Sequence, residues 1–109
     1  MKEILVLRKE PTEVAIMTMI EPTKETLREI VGGDFDIKKF SKFGAIVSKK
    51  ERIELPYNCD FLGNDYYGTI VVVGIDGKKL SDVFVKDSHT LSFIKQNGNM
   101  YLGVPKKSC

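Results

Sequence analysis

The sequence predicts an α+β fold, in which a mainly antiparallel sheet of about six strands carries one or two helices packed on one face. Short apolar segments separated by turn residues occupy most of the chain, and only one segment has clear helical periodicity. The run Ile70–Val73 has four consecutive apolar residues, which is typical of a strand covered on both faces. A length of 109 residues suits one compact core, so residues 1–109 are expected to form a single domain.

The first two apolar segments predict an antiparallel hairpin. EILVLRK, residues 3–9, is rich in branched apolar side chains, and EVAIMTMI, residues 13–20, places Val14 and Ile16 on one face. A Pro-Thr pair between the two segments suits a turn. Strands joined by so short a connection are expected to pair antiparallel.

The segment EPTKETLREIVGG predicts the clearest helix of the chain. Thr23 is a candidate N-cap, because its hydroxyl can accept a hydrogen bond from a backbone N–H of the first turn. Leu27, Ile30 and Val31 follow the spacing i, i+3, i+4 and form one apolar stripe. The Gly-Gly pair that follows predicts the end of the helix, since glycine adopts the left-handed conformation without steric cost.

The middle of the chain predicts a second hairpin and a central strand. DFDIKKF, residues 34–40, and KFGAIVSKK, residues 42–50, indicate two strands that turn near Ser41 or Gly44. GTIVVVGI, residues 68–75, is the most strand-like segment, and the Asp-Gly pair after it is typical of a hairpin turn.

Residues 88–98 are compatible with two structures. They can form a helix that begins with Ser88 as its N-cap and ends at the glycine of the Asn-Gly pair. They can also form a strand, in which Leu91 and Phe93 alternate with polar residues, followed by a type I′ turn into NMYLGV. We favour the hairpin, because the Asn-Gly pair lies between two alternating segments.

Composition and charge exclude several classes of function. The net charge of +2, from 17 basic and 15 acidic residues, is too balanced for a dedicated duplex-DNA binder. No apolar run approaches the length of about 20 residues that a membrane helix needs, and the N-terminus does not have the pattern of a signal peptide. The expected compartment is the cytoplasm, where Cys59 and Cys109 are reduced thiols. Two cysteines and one histidine far apart do not suggest a zinc site, so no metal or cofactor is expected.

No segment has the pattern of an active site, so the chain is not expected to be an enzyme. Asp87-Ser88-His89 contains the residue types of a hydrolase triad, but three consecutive residues cannot line up nucleophile, base and orienting acid. GIDGKK predicts a tight turn, because its spacing matches neither a Walker A loop nor a KH-type loop. A small enzyme that uses Cys59 or His89 is the catalytic alternative.

Residues 37–52 have the one strong charge asymmetry of the chain. IKKFSKFGAIVSKKER contains six basic residues and a single acid, with Phe40 and Phe43 between the two basic groups. A hairpin here is expected to present a cationic face to a phosphate, a nucleotide or an acidic protein. The alternative is a solvated hairpin, whose lysines protect a sheet edge from aggregation. The candidate binding residues of this segment are Lys38, Lys39, Lys42, Lys49, Lys50 and Arg52.

LPYNCDFLGNDYYG, residues 55–68, and the threonine after it supply four further candidates. Tyr66 and Tyr67 are adjacent on a predicted strand, so one ring should enter the core and the other should face out. An exposed tyrosine beside Asn58 and Thr69 would suit a contact with a ligand or partner. The alternative is that Asn58 caps the loop and both rings pack internally.

Three segments, in the order LREIVGGDFDI, LPYN and YYGTIVVVG, resemble a small family of unknown function that is common in bacterial phages, plasmids and other mobile elements, the domain of unknown function 3846. The resemblance covers residues 2–80. The matching positions are the helix end Val31-Gly32-Gly33, the loop residues Leu55, Pro56 and Asn58, and the strand residues Gly68, Thr69 and Gly74.

The resemblance implies an accessory role in a bacterial host. Small proteins of phages and mobile elements often bind and block a host defence protein, for example a CRISPR effector, or sequester a signalling nucleotide. The expected function is therefore non-enzymatic inhibition of an antiviral defence in the host cytoplasm, with a defence protein or a defence nucleotide as partner. A nucleic-acid-binding accessory module is the alternative function. Pairing of two copies through an open sheet edge is also an expectation.

Overall fold

The computed structural model describes residues 2–97 of the chain. They form one six-stranded antiparallel sheet, a separate two-stranded hairpin and two helices, which confirms the predicted α+β fold. Within this range, neither helix is long and apolar enough to cross a membrane. In chain order the elements are β1 (Ile4–Lys9), β2 (Ile16–Ile20), α1 (Lys24–Val31), β3 (Phe35–Ser41), β4 (Gly44–Lys49), β5 (Tyr57–Phe61), β6 (Asn64–Tyr67), β7 (Ile70–Asp76), β8 (Lys79–Ser81) and α2 (Ser88–Asn97).

Strand β7 lies at the centre of the large sheet. The strand order is β2-β1-β7-β4-β3, with β8 also paired to β7, and the pairs β1–β2 and β3–β4 are the two predicted hairpins. Ile70 and Val72 of β7 point to one face and Val71 and Val73 to the other, and all four are fully buried. The prediction of a strand covered on both faces is therefore confirmed.

Helix α1 covers one of these faces. Thr23 Oγ1 accepts a hydrogen bond from the Thr26 N–H at 3.1 Å, as predicted for the N-cap. Leu27 and Val31 are buried in the same apolar cluster as the side chains that β1, β4 and β7 point to this face. Gly32 ends the helix in the left-handed conformation, with φ of +93°.

The opposite face is covered by α2 together with the β5–β6 hairpin. Phe93 and Ile94 of α2 cluster with Phe61 and Tyr66 of the hairpin and with apolar side chains of β1, β4 and β7. The rings of Phe61 and Phe93 meet edge to face, with centroids 5.3 Å apart. The two helices therefore lie on opposite faces of the sheet, whereas the sequence predicted that they pack on one face. Both faces of β7 are apolar, so each must be removed from water.

The favoured hairpin at residues 88–98 is wrong, because residues 88–97 form a helix. Asp87 Oδ2 accepts hydrogen bonds from the backbone N–H of Thr90 at 3.0 Å and from its hydroxyl at 3.2 Å, so Asp87 and not Ser88 provides the capping side chain. Thr90, Phe93 and Ile94 are buried at helical spacing, whereas Leu91 is 40% exposed. The predicted partner strand, NMYLGV, lies outside the described residues.

The two edges of the sheet differ in chemistry. β3 carries exposed charged residues, and its pairing with β4 is irregular between Lys39 and Ser41. β2 has the uncharged sequence IMTMI and exposes Ile16 and Met19. Val14 is exposed like Ile16, while Ala15 and Ile20 are buried. Of the two edges, β3 has the features that block further strand pairing.

Replacing Gly74 with alanine should disrupt the packing between β7 and the segment after β8. An added Cβ would lie 1.9 Å from the main-chain oxygen of Asp82, so the backbone must shift. We expect the free energy of unfolding, measured by urea denaturation, to fall by about 3 kcal/mol. Gly63→Ala is the matched control, because its Cβ meets no atom within 4 Å and only its φ of +83° is unfavourable, at about 1 kcal/mol. Equal losses in the two variants would contradict the predicted clash.

Asp87→Ala should destabilise α2, whereas Ser88→Ala should have little effect. The first change removes the acceptor for the Thr90 N–H and for the Ser41 hydroxyl, which donates to Asp87 Oδ2 at 3.0 Å. We expect a loss of about 1–2 kcal/mol in the free energy of unfolding for Asp87→Ala and less than about 0.5 kcal/mol for Ser88→Ala. The opposite ranking in thermal denaturation would show that Ser88 caps the helix.

Candidate functional site

Strand alternation separates the basic residues of the β3–β4 hairpin. The hairpin forms as predicted, with its turn at Lys42 and Phe43. Lys38 pairs with Ile46, whose side chain lies on the α2 face, and Lys39 pairs with Ala45, whose side chain lies on the α1 face. Directly paired residues share a face of the sheet. The expected single cationic face is therefore not formed.

Four of the six basic residues instead line a polar cleft of about 350 Å³. The polar cleft lies between the open end of the β3–β4 hairpin and the β5–β6 turn. Its charged lining residues are four cations and two carboxylates, but the Lys49 side chain points to the α1 face, towards Gly33, so three cations and two carboxylates face the cleft. The six charged lining residues are Lys38, Lys49, Lys50, Arg52, Asp36 and Asp65, and the uncharged lining includes Ser48, Asn64 and Tyr66.

Arg52 has the best-defined position among these cations. Its Nη1 donates a hydrogen bond to the main-chain oxygen of Asp65 at 2.9 Å. Its guanidinium carbon lies 4.7 Å from the centroid of the Tyr67 ring, and that ring meets Tyr57 edge to face at 5.6 Å. A guanidinium has five N–H donors, and these two contacts neither use them all nor neutralise the charge. Arg52 is thus held in place with donors to spare.

The lysines of the polar cleft have weaker partners. Lys38 Nζ donates to the side-chain oxygen of Asn64 at 2.9 Å, which carries no charge. Lys50 Nζ lies 3.9 Å from an oxygen of Asp36, and both side chains are well exposed. Exposed ion pairs of this length contribute little to stability, so they hold the lysines only loosely. The positive charge remains available to an added anion.

The tyrosine pair is placed as predicted, with one ring inside and one towards the surface. Tyr66 is buried in the cluster beneath α2, and Tyr67 is half-buried under Arg52. Burial raises the pKa of the Tyr66 phenol, and the neighbouring Cys59 acts in the same direction, so Tyr66 keeps its proton. Tyr67 therefore contributes to the polar cleft by holding the Arg52 guanidinium in position.

Asn58 and Thr69 lie away from the polar cleft and bond internally. Asn58 is buried, and its amide group donates to the main-chain oxygens of Lys9 at 2.9 Å and Gly68 at 2.6 Å. Its side-chain oxygen accepts from Lys9 Nζ at 2.8 Å. The Thr69 hydroxyl donates to the carboxylate of Glu10. Both candidates thus join β5 and the start of β7 to the end of β1.

Lys9 is a buried cation that the sequence analysis did not identify. Its Nζ donates to the Asn58 side chain and, at 3.3 Å, to the main-chain oxygen of Glu10. A lysine at the end of a strand is ordinarily solvated, and no local pattern indicates a partner 49 residues away.

The two residues of the catalytic alternative lie in different environments. Cys59 is buried, and burial raises the pKa of its thiol while the charge of Lys9 lowers it less. A buried, protonated thiol is a poor nucleophile. His89 is exposed on α2, with its ring centroid 6.5 Å from that of Phe40. Among residues 2–97, no three side chains of His, Cys, Asp or Glu form a group that could hold a metal ion.

Comparison with known proteins gives no relative: no family model, no curated protein and no solved structure matches the chain.

Removing Asn58 should leave the Lys9 ammonium buried without its side-chain partner. We expect Asn58→Leu to lower the free energy of unfolding by about 3 kcal/mol. Lys9→Met removes the charge, so the double variant should lose less than the sum of the two single losses, by about 1–2 kcal/mol. Chemical denaturation of the four proteins measures this coupling, and additive losses would contradict the paired arrangement.

Proposed function

We propose that this protein is a non-enzymatic accessory protein of a phage or another mobile element, and that it counters a bacterial antiviral defence by sequestering a phosphate-bearing signalling nucleotide in the polar cleft. The observation that carries the proposal is the placement of Arg52, oriented by Tyr67 and the Asp65 carbonyl beside Lys38 and Lys50. Its setting is the cytoplasm of the bacterial host.

The chemistry of the polar cleft suits phosphate. Guanidinium groups bind phosphate oxygens through paired N–H donors, and lysines add charge without demanding one geometry. The two carboxylates, Asp36 and Asp65, are outnumbered by the three cations whose side chains face the cleft. A volume of about 350 Å³ falls within the range of small-ligand sites. A concave, polar site of this size favours a nucleotide over the flat surface of a defence protein.

The mobile-element setting rests on the resemblance of three segments to a family found in phages and plasmids. It supports an accessory role and does not identify the ligand. Of the two expected partners, the nucleotide fits the concave, cationic polar cleft better, and this supports choosing it here. A defence protein as partner becomes an outcome of the experiment below.

A nucleic-acid-binding module fits the geometry less well. A single strand needs a continuous basic track along which successive phosphates and bases are held. Here alternation divides the lysines of β3 between two faces, and Lys39 and Lys42 do not line the polar cleft with Lys38 and Lys50. The cations form a local cluster, which suits a compact ligand.

Isothermal titration of the intact protein with cyclic di-AMP, cyclic GMP–AMP and ATP as probes tests the proposal. We expect at least one probe to bind saturably. Arg52→Ala together with Lys50→Ala should weaken that binding roughly tenfold or more, about 1.4 kcal/mol, because phosphate-directed donors and charge are lost. The matched control is Lys2→Ala with Lys24→Ala, which removes the same charge from exposed positions outside the polar cleft.

Three results would contradict the proposal. The first is equal affinity of the Arg52→Ala, Lys50→Ala variant and the wild type for every bound probe. The second is binding to a single-stranded oligonucleotide with a steep salt dependence and no binding of any of the three nucleotide probes, which would support the nucleic-acid module. The third is a stable complex with a purified CRISPR effector in the absence of any nucleotide binding.

A further inference from the structure

A second concave site lies at the turn end of the β3–β4 hairpin, and none of its lining residues borders the polar cleft. It has a volume of about 540 Å³ and is called the apolar groove here. Two turns meet at this end, because Gly44 pairs with Gly74 and the Ile75 N–H donates to the Phe43 carbonyl at 3.0 Å. The lining of the apolar groove includes Lys39, Lys42, Phe43, Asp76, Asp82 and Phe84.

Two phenylalanines form an exposed wall of the apolar groove. Phe43 is 44% exposed and Phe84 is 42% exposed, and their rings meet edge to face with centroids 5.2 Å apart. The adjacent Val85 is 41% exposed. Exposed apolar side chains that adjoin each other in a patch mark an interaction site more often than an isolated exposed residue does. This pair is therefore available as the centre of a contact.

The wall is fixed by the surrounding backbone. The Phe43 N–H donates to Ser41 Oγ at 3.1 Å, and Ser41 in turn donates to Asp87 at the start of α2. On the other side, the Val83 N–H donates to the Leu5 carbonyl at 2.8 Å. The backbone is thus held at Phe43 itself and at the residue directly before Phe84. A preorganised wall loses little conformational entropy when a partner binds.

The rim of the apolar groove carries four lysines against two carboxylates, Asp76 and Asp82, which leaves an excess of positive charge. Lys39 and Lys42 line it, Lys78 lies on the adjacent β7–β8 turn, and Lys79 is the first residue of β8. Among residues 2–97, none of these four lysines has a carboxylate within 4.0 Å. Unpaired charge at a rim attracts and orients a partner of opposite charge. The partner is therefore expected to be acidic.

We propose that the apolar groove binds a peptide segment of a partner protein that presents an aromatic or aliphatic side chain next to acidic residues. The apolar side chain would pack on Phe43 and Phe84, and the acidic side chains would meet Lys39 and Lys42. An apolar anchor surrounded by a charged rim is the usual arrangement of an interface hot spot. This inference is independent of the nucleotide site and shares no residue with it.

The acids of the apolar groove favour a peptide over a nucleotide. Asp76 and Asp82 line it, and one oxygen of Asp82 already accepts the Leu5 N–H at 2.8 Å. Carboxylates repel a phosphate chain, whereas the backbone N–H groups of a peptide can donate to them. The same peptide supplies carboxylates to the lysines. A single peptide can therefore bind both the carboxylates and the lysines of the apolar groove.

Selection from a displayed library of random 12-residue peptides on the intact protein tests the proposal. We expect enriched peptides to combine Asp or Glu with an aromatic or branched aliphatic residue, and to shift the backbone amide signals of residues 39–44 and 75–84 in NMR spectra. Lys39→Glu with Lys42→Glu should weaken binding roughly tenfold or more, and Phe84→Ser should do so independently. Lys2→Glu with Lys24→Glu, an equal change of charge elsewhere on the surface, should leave the affinity unchanged.

Several outcomes would overturn the proposal. Enriched peptides without acidic residues would do so, as would equal affinity of the Lys39→Glu, Lys42→Glu variant and the wild type. Competition of AMP for the selected peptides, with shifts at the same amides, would assign the apolar groove to small phosphates. Loss of peptide binding in the Arg52→Ala, Lys50→Ala variant would place the peptide in the polar cleft. Peptide binding that survives these two substitutions, with or without nucleotide binding, separates this proposal from the proposed function.

Discussion

The burial of β7 on both faces is the constraint on which the structure depends. Its alternating side chains enter two separate cores, so the sheet needs a cover on each side. Helix α1 supplies one cover, and α2 with the β5–β6 hairpin supplies the other. Tyr66 anchors that hairpin in the core, which leaves its turn beside the open end of β3–β4. The polar cleft is thus the gap between a sheet and its cover.

The same alternation decides how charge is distributed on the surface. Lys38 and Lys39 are neighbours in the chain but face opposite sides of the sheet. One therefore joins Arg52 at the polar cleft, and the other joins Phe43 at the apolar groove. A basic stretch that looks uniform in the sequence becomes two sites with different chemistry. One is polar throughout, and the other combines cations with exposed aromatic rings.

Local patterns predicted the parts of the fold that local interactions determine. The central strand, helix α1 with its Thr23 cap and both early hairpins follow from periodicity and turn residues. For residues 88–97 the sequence allows the helix but favours a strand, because polar Thr90 occupies a buried position and hides the 90, 93, 94 stripe, while Leu91 and Phe93 mimic alternation. Such local patterns could not predict contacts between segments that are distant in the sequence. The Lys9–Asn58 pair and the Phe43–Phe84 wall each join residues about 40–50 positions apart, and no motif signals them.

The position of β1 between β2 and β7 has a consequence for the order of assembly. Leu7 pairs with Val72, 65 residues later in the chain, whereas the β1–β2 turn closes within a few residues. Closing so long a loop costs conformational entropy before the stabilising contacts form. Pairing between such distant segments also raises the contact order of the fold, and a high contact order slows folding. On the ribosome, the N-terminal hairpin must wait with one edge and two apolar faces uncovered until β7 emerges. Nascent chains should therefore depend on chaperones most strongly before residue 76 has left the exit tunnel.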